Sequence, residues 1–170
     1  MPASIAAAER RRRLVEAMLD VRLARPADLP AIHECDASDL EASPALLHQA
    51  VAERNCWVAV LDFRIVGYLV LQSAFFASGR ITRFAVHPAF RNRGIGTALV
   101  AFAEIRCPSL QLFVSVKHTD RIPRLLLCRR GFTLSGVREQ SFDPGRMLVY
   151  GKQVAGIRDI PAPADSDARP

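Results

Sequence analysis

Residues 86–97 read Val86-His87-Pro88-Ala89-Phe90-Arg91-Asn92-Arg93-Gly94-Ile95-Gly96-Thr97, a short stretch that holds two arginines and two glycines. The chemistry of such a stretch is anion binding. A helix start presents N–H groups that lack internal partners, and the helix dipole adds partial positive charge there. Gly94 and Gly96 let the backbone approach a ligand closely. Arg91 and Arg93 add fixed charge and planar donors that match phosphate oxygens. No Gly-Lys-Ser/Thr comes after it, so this is not a Walker loop. The third glycine of a dinucleotide fingerprint is also absent.

The elements on either side position the loop. Ile81 to Val86 alternates as a strand, with Phe84 and Val86 on one face and Arg83 and Ala85 on the other. Gly96 to Arg106 reads as a helix, with a core stripe at Ile95, Leu99, Phe102 and Ile105. Taken whole, strand, His87-Pro88, Arg91-Asn92-Arg93-Gly94-Ile95-Gly96 and helix resemble the acetyl-CoA signature of the GCN5-related N-acetyltransferase (GNAT) superfamily. That signature is Gln/Arg-x-x-Gly-x-Gly/Ala, and its three fixed positions match here. The bland alternative is a tight strand-to-helix turn without a ligand.

The chain has 170 residues, a single-domain length, and half of them are hydrophobic, so it can bury a core. No apolar run is long enough to span a bilayer. Cys35, Cys56, Cys107 and Cys128 are dispersed without a CxxC pair, which argues against a zinc site and for a reduced, cytoplasmic chain. The net charge of +6 favours anionic partners. The basic residues gather at Arg80, Arg83, Arg91 and Arg93, and again at Lys117, Arg121, Arg124, Arg129 and Arg130. No nucleic-acid motif accompanies them, so a phosphate-bearing cosubstrate explains the charge better than nucleic acid does.

Along the chain, residues 1–20 read as an Arg-rich N-terminal helical extension. Residues 21–154 form the domain, and 155–170 a tail rich in Pro, Ala and Asp, expected to be disordered. A strand at Val21–Arg25 leads through Pro26-Ala27-Asp28 into a helix. A second helix runs from Pro44 to Glu53. Cys56–Leu61 and Arg64–Leu71 form a hairpin that includes Ile65-Val66-Gly67, also frequent in GNAT proteins; Tyr68 reads as a core or rim residue. Leu110–Val116 is the next strand. Asp120 is placed to cap the following helix, whose buried stripe is Ile122, Leu125 and Leu126; Pro123 lacks an N–H, so the cap must use Ile122. Phe132–Arg138 and Arg146–Lys152 close the domain as a hairpin around Phe142-Asp143-Pro144-Gly145.

The resemblance implies an α/β (α+β) GNAT fold: a mixed, mostly antiparallel, twisted sheet of about six or seven strands, flanked by helices and splayed near the acetyl-CoA-binding strand. It implies acetyl-CoA as acyl-donor cosubstrate and direct transfer to an amine acceptor, a small molecule or a protein amine. The backbone of Phe84, Ala85 and Val86 would pair with the pantetheine arm, and the Val86 N–H would stabilise the oxyanion. Arg91, Asn92, Arg93, Gly94, Ile95, Gly96 and Thr97 would hold the pyrophosphate, with Asp120 further along the cofactor. A homodimer is a family expectation, and no metal is implied.

Several positions depart from the family. Its Asn-x-x-Ala-x-x-Leu-Tyr-x-x-x-Gly-Phe pattern is met at Leu126, Gly131 and Phe132, but Asp120, Pro123 and Leu127 replace the asparagine, alanine and tyrosine. Leu127 cannot donate a proton to the leaving thiolate. Arg80 stands where some histone-type members hold a glutamate base. His118 and Glu34 are then the candidate proton carriers, His118 because a histidine titrates near neutrality and Glu34 through a water. Against each stands a bland reading, an exposed loop histidine and a solvated acid. Glu34, Asp36 and Asp39 read first as a solvated acidic face, and in the family that region borders the acceptor pocket. Cys128 reads as packed against the sheet rather than nucleophilic. Two other functions remain open: an acyl-CoA-binding regulatory module with little or no catalysis, motivated by Leu127 and Asp120, and a basic nucleic-acid-binding protein.

Overall fold

The computed structural model describes residues 18–36, 44–74, 78–140 and 143–155. Nearly all of the expected 1–20 helix, the tail from 156 onward and Asp39 lie outside the described residues. So does Phe142, in the closing turn. The chain runs β1 (Asp20–Leu23), a 3-10 turn (Pro26–Asp28), α1 (Leu29–Cys35), α2 (Pro44–Ala52), β2 (Cys56–Leu61), β3 (Arg64–Ala74) and β4 (Ser78–Val86). A second 3-10 turn (Pro88–Phe90) leads to α3 (Ile95–Arg106), β5 (Gln111–Lys117), α4 (Arg121–Arg129), β6 (Thr133–Gln140) and β7 (Asp143–Gln153).

The seven strands form one sheet in the order β1-β2-β3-β4-β5-β7-β6. Every pair is antiparallel except β4 with β5, and this is the mixed sheet expected from the sequence. The β2–β3 hairpin turns on Asp62 and Phe63, both with positive φ (49° and 61°), which matches the twist of a two-residue turn. Ahead of α1 the structure holds a 3-10 turn where the sequence predicts the opening of an α-helix. The Asp28 carboxylate explains it, accepting from the Arg25 N–H (2.7 Å) and from both terminal nitrogens of Arg22 (2.7 and 3.0 Å). The bond from Arg22 holds the Asp28 carboxyl below its ordinary range.

Two features of β4 set up the site. First, β4 and β5 pair only over Ser78–Ile81 with Gln111–Val114, and beyond Ile81 the two strands no longer pair. This is the splay. Second, Val70 opposes Arg83 while Leu71 opposes Ile81, so Thr82 is an extra residue in the ladder. Such a bulge re-aims the side chains beyond it. Ile81 faces the main core, whereas Arg83 and Ala85 face the other side of the sheet, with Phe84 and Val86 now on the main-core side.

Each face of the sheet carries a core. On one, α3 and Leu127 pack over Leu69, Ile81, Val114 and Tyr150. On the other, Ile32 and Leu47 of α1 and α2 pack over Val58, Tyr68 and Val70. Gly67 is required at the crossing with α3: a Cβ there would lie 2.9 Å from the Ala85 carbonyl oxygen and 3.2 Å from Leu99.

The helix stripes differ from those expected. In α3 the buried residues are Ile95, Leu99, Val100 and Ala103, while Ile105 is 69% exposed. Phe102 is half-buried, its ring 4.9 Å from that of Trp57. In α4, Ile122 and Leu125 are exposed, Leu126 is half-buried, and Leu127 alone is buried. Cys128 is exposed rather than packed on the sheet. α4 is anchored by Leu126 and Leu127, and that rotation turns Ile122, Leu125 and Cys128 outward.

Candidate active site

The loop after β4 is built by local bonds. His87 N–H donates to the Val66 carbonyl (2.9 Å), extending β4 by one residue. His87 Nδ1 accepts from the Ala89 N–H at 3.2 Å, so the imidazole caps the Pro88–Phe90 turn, in keeping with a structural role. Arg91 Nε donates to the Val86 carbonyl (3.2 Å) and an Arg93 Nη donates to the Ala89 carbonyl (3.3 Å). Arg93 also lies over the Phe90 ring, 5.1 Å from its centroid. The arginines thus fasten the loop as well as charging it.

Asn92 and Gly94 both have positive φ (61° and 87°). Gly94 is the N-cap of α3, and no side chain caps that end. The first intrahelical bond comes from Ala98 to the Gly94 carbonyl, so the N–H groups of Ile95, Gly96 and Thr97 have no helical acceptor. No acid sits in the first turn either. An N-terminus with neither cap nor acid, beside two exposed arginines, fits a phosphate-bearing ligand. Gly96 serves packing: a Cβ on it would lie 3.1 Å from Leu126 and 3.7 Å from Val86. Its lack of a side chain lets Leu126 of α4 close against the start of α3.

The expected proton carriers are far less engaged. Glu34 is exposed on α1. His118 is exposed in the turn after β5, where its N–H donates to the Arg146 carbonyl and its carbonyl accepts from Arg124 (2.8 Å). Asp120 occupies the N-cap position of α4 but makes no side-chain cap bond: Pro123 has no N–H to offer, and the expected bond from the Ile122 N–H is not formed either. Its carboxylate is exposed, 3.5 Å from the Thr119 hydroxyl. Leu127 is fully buried, and the phenol in its core cluster belongs to Tyr150, whose hydroxyl accepts from Arg124 Nε at 3.4 Å. Much of the basic cluster is committed inside the domain. Arg130 and Lys152 both bind Glu104 (2.7 and 2.9 Å), and Arg124 bridges His118 and Tyr150.

Sequence reasoning missed one group. Asp36 is not part of a solvated acidic face; it is 8% exposed. Its Oδ2 accepts from the Tyr68 hydroxyl (2.7 Å) and lies 3.0 Å from an Arg83 Nη. Burial, then the bond to Asp36, raises the Tyr68 pKa, so Tyr68 stays a phenol that donates. The signal that could have found the group was Arg83, on the strand face opposite the loop-facing residues, but the bulge that aims it at Asp36 was not readable.

Among the described residues no cluster of histidine, cysteine and acids could hold a metal, and no helix is long and apolar enough to cross a membrane.

A mixed seven-stranded sheet that splays between two parallel neighbours, with an open helix N-terminus at the end of one of them, defines the acetyltransferase class of α/β folds. The model of the acetyltransferase (GNAT) domain family matches residues 52–133, from the end of α2 to the start of β6. Over that stretch the chain matches a GNAT acetyltransferase domain, and its fold is the GNAT fold. A GNAT-family acetyltransferase from Bacillus cereus is 21% identical, with a TM-score of 0.73 over 83% of this chain and 99% of that one. The ribosomal-protein-S18-alanine N-acetyltransferase from Escherichia coli is 14% identical, with a TM-score of 0.71 over 84% of this chain and 97% of that one. YncA from Salmonella typhimurium, solved with its cofactor acetyl-CoA, is 14% identical, with a TM-score of 0.66 over 84% and 97%. At these identities the likeness is one of fold. No curated protein sequence matches the chain significantly.

Proposed function

We propose that the protein is an acetyl-CoA-dependent N-acetyltransferase that moves the acetyl group directly to a primary amine. The observation that carries this is the pairing gap: β4 loses β5 after Ile81 and ends at an uncapped helix N-terminus. An extended ligand with a diphosphate at one end fits that gap, as an added strand that terminates on N–H groups. The backbone of Phe84, Ala85 and Val86 would take the extended arm. Arg91, Asn92, Arg93, Gly94, Ile95, Gly96 and Thr97 would take the diphosphate.

The bound cosubstrate supplies an acetyl thioester. The amine nitrogen forms the new C–N bond, the C–S bond breaks, the thiolate leaves, and the proton lost by the amine goes to solvent. The chain aligns the two reactants, and the Val86 N–H stabilises charge that develops on the carbonyl oxygen. Leu127 supplies no proton, and a thiolate is a tolerable leaving group without one.

Calorimetric titration of acetyl-CoA and CoA tests the reading. Saturable binding to the wild type, abolished in a folded Gly94→Glu variant, supports it. Release of free CoA thiol in the presence of a panel of primary amines then separates the enzyme from a module that binds acyl-CoA without turnover. Absence of CoA binding to the folded wild type would overturn both readings.

A further inference from the structure

We infer, on the transferase reading proposed above, that the acceptor is an amino carboxylate: a primary amine and a carboxylate at opposite ends of a short apolar chain. It lies across the half of the sheet that no described helix covers, with Arg138 facing its carboxylate.

On the face opposite the main core, the sheet has two unequal halves. The core that α1 and α2 build there takes in β2, β3 and Ala85 of β4, and no described residue of β5, β6 or β7. Register shows what those three strands present instead. Phe113, Ser115 and Lys117 of β5 pair with Gly151, Val149 and Met147 of β7, and Arg138 of β6 pairs with Met147 from the other side. Paired residues share a face, and the alternate residues of β5, Leu112, Val114 and Val116, point into the main core. Arg138 is exposed, and Phe113, Ser115, Lys117, Met147 and Val149 are half-buried. Under the helices, by contrast, Val58, Tyr68 and Val70 are buried. A Cβ on Gly151 would lie 2.8 Å from the Phe113 ring, so that ring leans over β7 and away from the β4–β5 gap.

This half borders the gap. On the main-core side, Val114, Val116, Phe84 and Val86 pack with α3 and Leu127. An amine that reaches the end of β4 therefore comes from the opposite face. Ile81 stands beside Val114, so Lys117, three residues further along β5, is level with the last residues of β4.

The charge here has one sign. Lys117 and Arg138 flank Met147, and the exposed Arg80 stands beside Phe113. Residues 78–86, 111–117, 133–138 and 146–153, the strands that make this half, contain no acid. Phe113, Met147 and Val149 suit an apolar chain, and a carboxylate at its end complements the cations. A second ammonium would meet only like charge. From the gap to Met147 is between one and two strand spacings, roughly 5–10 Å, the length of about five methylenes. The positive face also disfavours the ammonium form of the acceptor, which favours the nucleophilic amine.

Three acceptors alike in length but not in their far ends test this: 6-aminohexanoate, n-hexylamine and 1,6-diaminohexane, each with acetyl-CoA and release of CoA thiol as the readout. The kcat/KM should fall in that order, the first exceeding the second about 3- to 10-fold, as two exposed ion pairs allow. That ratio should shrink in about 0.5 M NaCl. Arg138→Gln should bring it below about twofold, and a ratio of two acceptors is blind to partial loss of folded enzyme. Equal rates for the three, or a preference for the diamine, would overturn the inference, as would a ratio unchanged in the folded variant. If the variant does not fold, the salt series on the wild type decides, and a ratio insensitive to salt overturns it. If none of the three is acetylated, NMR titration of the wild type with the same compounds decides. Saturable shifts of the Met147 and Val149 methyls selective for the carboxylate uphold it, and equal or absent shifts overturn it. Carboxylate-selective binding in a protein that binds no CoA would instead sink the transferase reading alone.

Discussion

At the residue scale, burial separates chemistry from structure among the four cysteines. Desolvation pushes the Cys35 thiol up to about 11 and the Cys56 thiol up to about 12. Cys107 is also buried, and only Cys128 is exposed. Because the thiolate is the reactive form, a raised pKa means almost no nucleophile at neutral pH, and burial also blocks access. A disulfide-exchange reagent at pH 7.5 should therefore titrate one thiol rapidly in the native protein and all four in urea. Cys128→Ser should remove the rapid phase. Two or more rapid thiols in the native state would contradict the burial of the others. The same contrast applies to the acids: Glu34, readable from the sequence as a candidate base, stands in solvent, while its near neighbour Asp36 is enclosed and aimed. Glu34 is in the last turn of α1 and Asp36 is its C-cap, where the chain leaves the helix, so the two side chains face different surroundings.

At the element scale, β4 does most of the organising. Its bulge at Thr82 places Ile81 in one core and Arg83 over the other, and its early loss of β5 opens the gap. The α3 crossing holds this strand in place through Gly67, where any side chain meets the Ala85 carbonyl. A backbone oxygen cannot move aside as a side-chain end can. Gly67→Val should cost about 1–3 kcal/mol of stability in urea denaturation, the range for overpacking. CoA affinity should fall with it, because Ala85 lies in the strand segment assigned to the cosubstrate. A variant as stable as the wild type would mean that α3 can shift away from the sheet. The loop itself was legible, since its glycines and arginines are consecutive and their chemistry is local. The division of labour between the glycines was not: Gly94 supplies the left-handed turn, and Gly96 admits Leu126 from an element some thirty residues later.

At the scale of the whole molecule, Glu104 ties three distant parts together. It accepts from Arg130 through two nitrogens (3.1 and 2.7 Å) and from Lys152 at 2.9 Å, joining α3 to the end of α4 and to β7. Its side chain is 12% exposed and its partners are about twice as exposed, so the network is partly desolvated. Removing the charge leaves two cations facing each other. Glu104→Gln should lower stability by about 1–3 kcal/mol, less than the loss of a fully buried pair. Thermal or urea unfolding measures it, and a change under about 0.5 kcal/mol would show that the network is no stronger than a surface pair.

Local residue patterns, and the family resemblance they carry, were enough to indicate the class of fold, the strand-loop-helix proposed to bind an anion, and the absence of the usual tyrosine at Leu127. All of these depend on residues within one or two elements, where spacing translates directly into geometry. Tertiary packing, by contrast, decided which side of α4 is buried, since that rests on Leu126 meeting Gly96 and Leu127 meeting the core rather than on the helix's own pattern. It also decided that Asp120 goes without a cap bond, that Arg124 of α4 is spent on His118 and Tyr150, and that Arg130, just after the helix, is spent on Glu104. The Asp36–Tyr68–Arg83 group could not be read at all from the chain. Its members come from the end of α1, from β3 and from β4, and a single extra residue in one strand aims the arginine at the carboxylate. A one-residue slip in register exchanges the faces of a strand, and the sequence of β4 does not announce where that slip occurs.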